Sequence, residues 1–324
     1  VDGVSNVMDE DKSIDRSGRV VAREFLDRTR RIDTPPAAFR WKPLRAFTRQ
    51  ALAEIAGREE EKGPYRSVYS RTMWPGSNLV AALLKLRRPS LRWIAEFSDP
   101  QLFNPYGQRR VGAALDDALW RELAAGLTSA GVEPPADRNI PHLVELLAYA
   151  LADEIVFTNE HQRTFMLDYL PEQQLVPRVL EHSTVSPHPT LPPEFYTRAE
   201  ADHPHDPDIL DIAYFGAFYA TRGLTEVVEA LESLDEHERT RVRFHVFTAD
   251  PGTLTGELAE RGLTDLVVAK PYVDYLDFLA LTARMDVLLV NDARTSQHYA
   301  INPYLPSKWS DYAGSGSDVW AVVE

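Results

Sequence analysis

The chain has 324 residues, a formal net charge of −14, 44% hydrophobic and 26% charged residues, and no cysteine. A length of this order fills two domains or one large one. The acid excess disfavours sequence-independent nucleic-acid binding, which needs a basic face. The lack of cysteine excludes disulfides, thiolate metal sites and a cysteine nucleophile, and fits a cytoplasmic protein.

No apolar run reaches the roughly 18 residues of a membrane-spanning helix, and no signal peptide is visible. The chain starts at Val1 and stops after a strand-like run, so both ends are expected to be incomplete. In chain order, 1–6 reads as a short strand and 9–11 as an acidic loop. The apolar spacing of Val20, Val21, Phe25 and Leu26 predicts a helix over 19–31, ended by Thr34-Pro35-Pro36. A second amphipathic helix is predicted over 43–58. From there the pattern is regular: strand 66–72, helix 79–86, strand 91–97, with short links that predict a parallel βαβ unit. Helices follow over 113–130 and 141–153, a strand over 154–158, a helix over 160–169 and a strand-like run over 175–180.

Residues 181–208 hold six prolines and four histidines with little periodicity. The histidines match no helical or hairpin ligand spacing, so the stretch reads as a solvated linker rather than a metal cluster. The pattern then restarts with strands over 209–215, 243–248, 266–270 and 286–290, and helices over 222–234, 254–261 and 275–285. The last stretch, 303–324, reads as loop, short helix opened by Ser307, glycine turn, and a strand over 318–323 of the kind buried in a parallel sheet. The fold class is therefore α/β, with two Rossmann-like doubly wound parallel-sheet domains: 1–185, a linker at 186–208, and 209–324.

Three constellations could carry chemistry, and each has a plainer structural reading. Gly216 directly follows a strand and Arg222 opens the next helix; together they suit a diphosphate, or they are a tight turn beside a surface arginine. Lys308 and Asp311 share a helical face; a cation for phosphate and a carboxylate for ribose hydroxyls, or an ordinary ion pair at i,i+3. Glu96 and Asp99 close the strand Leu91–Phe97, where open parallel sheets bind ligands. Asp99 suits a hydroxylated substrate, or it is a turn aspartate before Pro100. Trp74, Phe103 and Tyr106 lie in nearby loops and could line a cleft or pack in a core.

At four places the chain resembles the GT-B glycosyltransferases, and family 4 in particular: WIAEFSDP (93–100), ADEIVFTNEHQ (152–162), YFGAFYATRGL (214–224) and LPSKWSDYAGSGSDVWAVV (305–323). The resemblance implies two facing domains, the amino-terminal one for the acceptor and the carboxyl-terminal one for a nucleoside diphosphate sugar. It places Gly216 and Arg222 at the donor diphosphate, Ser307 and Lys308 before the donor helix, and Asp311 near the donor ribose. It also places Tyr272 at the nucleotide base, Gly316 before the last strand, and Asp99 near the transferred sugar. Pro303 stands where that family carries a first donor glutamate, and Ala217 where it carries a first basic residue. The implied activity is transfer of a sugar from a nucleoside diphosphate sugar to an acceptor hydroxyl. The acceptor would be a sugar, a lipid-linked molecule or a small molecule, and the anomeric configuration would be retained without a metal or other cofactor. The alternatives are a nucleotide-sugar epimerase of the same architecture and a non-catalytic nucleotide-sugar-binding partner subunit. Nucleic acid is not an expected partner; peripheral membrane association stays open.

Overall fold

The computed structural model describes residues 1–7, 15–36, 39–203, 206–217 and 223–323. The chain divides into two compact units. The first comprises Val1–Ser13, Phe25–Pro187 and His298–Tyr304; the second comprises Ile14–Glu24, His188–Gln297 and Leu305–Glu324. No helix among the described residues is long and apolar enough to cross a membrane.

The first half of the chain runs β1 (Asp2–Asn6), α1 (Arg19–Ala22), β2 (Arg28–Ile32), α2 (Trp41–Lys62), β3 (Ser67–Thr72), α3 (Gly76–Arg87), β4 (Arg92–Phe97), α4 (Ala118–Ser129), α5 (Ile140–Leu151), β5 (Glu154–Phe157), α6 (Glu160–Asp168), α7 (Val176–His182) and β6 (Ser183–Val185). Strands β3, β4, β5 and β6 form a parallel sheet in that order. Alternation along β4 turns Trp93, Ala95 and Phe97 inward, where they meet Leu79 and Leu83 of α3, Leu143 and Leu147 of α5, and Phe157 of β5. The Trp93 indole is fully buried and donates to Ser70 Oγ at 2.8 Å, so its polar edge is satisfied.

The second half runs β7 (Leu210–Phe215), α8 (Thr225–Glu232), α9 (Glu236–Arg239), β8 (Val242–Thr248), α10 (Pro251–Glu260), β9 (Val267–Pro271), α11 (Tyr275–Thr282), β10 (Val287–Asn291), α12 (Lys308–Ala313) and β11 (Asp318–Val322). Its five strands are parallel in the order β11-β10-β7-β8-β9. From β7 the chain winds outward through β8 and β9, then returns to the other side of β7 for β10 and β11. The strand order therefore reverses between β7 and β10.

Four expectations are corrected. The helix expected over 19–31 is a single turn at Arg19–Ala22, and Arg28–Ile32 is a strand paired in parallel with β1. A non-local partner overrides the local spacing, as it commonly does for β structure. Two residues apart, Arg28 and Arg30 both reach Glu54 of α2, at 3.7 and 3.0 Å. The strand expected over 175–180 is helix α7, with Pro177 in its first turn, where proline costs no hydrogen bond; the strand lies just after it. The linker is not uniformly solvated: Tyr196 is buried, and the His203 side chain is 5% exposed. Lastly, β11 is an edge strand rather than a buried one. Among the described residues it pairs with β10 alone, and Trp320 is 49% exposed.

The helix expected over 113–130 starts at Ala118 because Asp117 caps it, accepting from Trp120 N at 3.1 Å. The same carboxylate accepts from Trp41 Nε1 at 2.9 Å and Arg45 at 2.8 Å, tying α2 to α4. Asp117→Ala removes the cap and leaves both donors unmatched. It is expected to lower stability by about 1–3 kcal/mol in denaturant titration.

Candidate functional site

In the second unit, the carboxyl ends of β7 and β10 bound a cavity of 160 Å3, at the point where the strand order reverses. Ligands of open α/β sheets bind in such a crevice, because the connections leave the two strands in opposite directions and no loop fills the gap. Its lining residues are Tyr214 to Ala217 from β7, Leu289 to Asn291 from β10, and Pro306, Ser307, Lys308 and Tyr312 from around α12. None of these is a carboxylate.

Gly216 lies at the floor of the crevice. A Cβ there would come within 2.9 Å of Tyr214 Oη, so a larger residue would press on the Tyr214 side chain. Tyr312 is fully buried behind it, and its hydroxyl accepts from Phe215 N at 3.3 Å, fixing α12 to the end of β7. On β10, Asn291 Nδ2 donates to the carbonyl of Gly223.

Among the described lining residues the cation is Lys308. Burial lowers its pKa, with Asp311 acting in the opposite direction. Its Nζ lies 4.2 Å from the centre of the Phe278 ring and 3.9 Å from Asp311 Oδ2. The second distance is at the limit of an ion pair, so the ammonium keeps most of its hydrogen-bonding capacity for an anion. Asp311 is held instead by Tyr275, whose hydroxyl donates to Oδ1 at 2.8 Å. Burial raises the Asp311 pKa, opposed by Lys308 and Tyr275. The backbone carbonyl of Asp311 also accepts from Tyr196 Oη.

The structure thus brings Gly216, Ala217, Ser307 and Lys308 to one cavity, with Asp311 one turn beyond Lys308. Ser307 occupies the cap position but makes no side-chain cap bond; it is exposed. Tyr272 follows β9 at the carboxyl edge of the sheet and is 50% exposed, but does not line the cavity. Gly316, with φ +85°, turns the chain into the amino end of β11, at the opposite edge of the sheet. Arg222 lies outside the described residues. Sequence reasoning missed Tyr275 and Asn291; the hydrogen bond to Asp311 singles out the first, and the strand order that places β10 beside β7 the second.

In the first unit, Asp99 sits in the loop after β4, at that sheet's carboxyl edge. Nearby, Glu96 pairs with Arg71 at 3.0 Å, and its pKa is raised by burial. The loop is anchored from below by Glu145 of α5, which sequence reasoning also missed. Its fully buried carboxylate accepts from Gln101 N and Leu102 N, both at 2.9 Å, and from Tyr169 Oη at 2.6 Å. Desolvation pushes its pKa up to about 7, against the lowering effect of those donors. A lone carboxylate in the apolar run IPHLVELLAYAL was the available signal. Pro303, at the position where the resemblance expects a donor glutamate, belongs to this first unit. It is buried, and its carbonyl accepts from Asn159 Nδ2 at 3.2 Å. A second, more apolar cavity of 210 Å3 opens beside the end of β3, with Phe47, Met73, Trp74 and Arg71 among its walls.

No protein-family model and no curated protein sequence matches the chain. Solved structures match it in fold. HepE from Anabaena, in complex with UDP and glucose, has a TM-score of 0.53 at 11% identity, over 98% of this chain and 79% of that one. Sucrose-phosphate synthase from Thermosynechococcus elongatus has a TM-score of 0.54 at 12% identity, over 99% and 80%. The lipopolysaccharide outer core galactosyltransferase WaaB, in its apo form, has a TM-score of 0.51 at 9% identity, over 99% and 79%. At such identities the likeness is one of fold: parallel sheets of four and five strands in the α/β arrangement of GT-B glycosyltransferases.

Proposed function

We propose that the protein is a glycosyltransferase of the family 4 kind, moving a sugar from a nucleoside diphosphate donor to an acceptor hydroxyl with retention of configuration. The observation that carries this reading is the crevice between β7 and β10, floored by Gly216 and closed by Lys308. A backbone open to close approach, next to a cation with spare donors, is suited to a diphosphate. The fold shared with HepE, which was solved with UDP and glucose, supports it. In this reading Lys308 takes up the charge that develops as the diphosphate departs. A divalent cation bridging the diphosphate needs carboxylate ligands, and the described lining has none. Asp311 and Tyr272 are assigned to the ribose and base, and Asp99 to the sugar or acceptor.

The test is incubation with a panel of UDP-, GDP-, ADP- and TDP-sugars, read by release of the nucleoside diphosphate, with a parallel thermal-shift screen of the free diphosphates. One diphosphate should stabilise the fold at concentrations well above its Kd, and its sugar conjugate should be consumed at a rate that added Mg2+ does not raise. Binding without consumption in any acceptor mixture overturns the catalytic part; no binding of any diphosphate overturns the whole.

A further inference from the structure

A second cluster of chemistry-bearing side chains lies at the other edge of the same sheet. Asp211 is the second residue of β7, and Gly216, in the crevice, is five residues on, about 16 Å along an extended strand. Ahead of β7, His203 Nε2 stands 3.0 Å from Asp211 Oδ2. From β8, His245 Nε2 stands 2.7 Å from Asp211 Oδ1. The two imidazoles are perpendicular, with centres 4.9 Å apart, so their nitrogens converge on one carboxylate instead of the rings stacking. The ligating atoms of all three residues lie within 4.8 Å of one another. The side chains of His203, Asp211 and His245 are 5%, 1% and 4% exposed.

We infer that His203, Asp211 and His245 form a structural binding site for a divalent transition-metal ion, of the zinc, cobalt or nickel class, that staples the segment before β7 onto the sheet. Two imidazole nitrogens and one carboxylate oxygen are the donor set that suits these ions, whereas magnesium and calcium favour all-oxygen shells. Hydrogen bonding alone leaves a carboxylate charge in a nearly buried site, which a bound cation neutralises. On binding, each neutral imidazole coordinates through Nε2 and carries its hydrogen on Nδ1, so the histidines only change tautomer. The backbone that carries this carboxylate is fixed as well, because Asp211 N donates at 2.8 Å to Oδ2 of Asp286, the residue before β10. The site is independent of the crevice chemistry and concerns the stability of the second unit.

The experiment strips the full chain with a chelator, removes the chelator, and titrates Co2+ and Zn2+. The expected result is one Co2+ per chain with the visible absorption of a low-coordinate cobalt ion, displaced by Zn2+, and a rise of several degrees in the unfolding temperature with Zn2+. His203→Gln, in the segment before the strand, should abolish both signals, as should Asp211→Asn. His161→Gln, on α6 of the first unit, should leave them intact. Absence of stoichiometric binding, or binding that survives in His203→Gln, overturns the proposal and leaves a hydrogen-bonded triad only. Should Asp211→Asn fail to fold, His203→Gln still decides, because its residue lies outside the strands.

Discussion

Lys308→Ala is expected to reduce turnover of the nucleoside diphosphate sugar by about 100-fold, with kcat falling more than KM rises. The size follows from the loss of one well-placed charge donor to a developing anion in a partly enclosed site. The asymmetry follows because the diphosphate gains charge as it departs. An ammonium aimed at it therefore contributes more to the transition state than to the bound donor. The same substitution should hardly change the unfolding midpoint. Lys308 is 39% exposed at its side chain, and its partner Asp311 is 3.9 Å away, so the pair contributes at most about 1 kcal/mol. Asp311 keeps the Tyr275 hydroxyl at 2.8 Å when the lysine is gone. Lys308→Arg should recover only part of the activity, because a planar guanidinium places its donors differently from a compact ammonium. Steady-state kinetics beside a melting curve checks all three statements. Turnover unchanged in Lys308→Ala would remove the lysine from the diphosphate site.

The parts of this fold that were legible in the sequence are those whose signal is local. Trp93, Ala95 and Phe97 alternate inward along one strand, and short links on both sides of α3 force a parallel βαβ unit. The candidate site was half legible. Gly216 and the Ser307-Lys308 pair could be picked out because each follows a strand or opens a helix, positions where backbone groups face a ligand. That they share one cavity could not be read, since it depends on β10 lying beside β7 rather than beside β9, and strand order is a property of the assembled sheet. The misread segments are those where a distant partner decides. Arg28–Ile32 is a strand because β1 is there to pair with it. His203 passed for a solvated residue because its partner Asp211 is 8 residues away and Asp211's other partner, His245, is 34 further on. Glu145 was hidden for the opposite reason. In an apolar helix one acidic residue looks like the start of a polar face, and only the loop that lies over it shows that it points inward.

Glu145 should also give the first unit an unusual dependence of stability on pH. Its carboxyl has a pKa of about 7 in the folded chain against an ordinary 4.5. Between those two values the folded state holds a proton that the unfolded state has lost, so stability decreases as pH rises through that range and then levels off. Below about 4.5 both states are protonated and this group contributes no slope. At about 1.4 kcal/mol per pH unit the whole effect is about 3 kcal/mol. Its direction is opposite to that of the carboxylates paired at the surface, such as Asp117, whose pKa is lowered. Glu145→Gln isolates the effect. The amide oxygen can still accept from Gln101 N and Leu102 N, and nothing titrates. The difference in unfolding free energy, variant minus wild type, should therefore climb between pH 5 and pH 7 and stay flat above pH 8. Denaturant titrations followed by tryptophan fluorescence will show it, since Trp93 and Trp120 lie in the same core. Removing the carboxyl outright should be worse than neutralising it. In Glu145→Ala the amides of Gln101 and Leu102 lose their acceptor and the loop that carries Asp99 loses its anchor, at a cost of about 2–4 kcal/mol. A difference curve without slope between pH 5 and pH 7 would mean that the carboxylate stays ionised in the folded chain, its burial fully offset by the three donors around it.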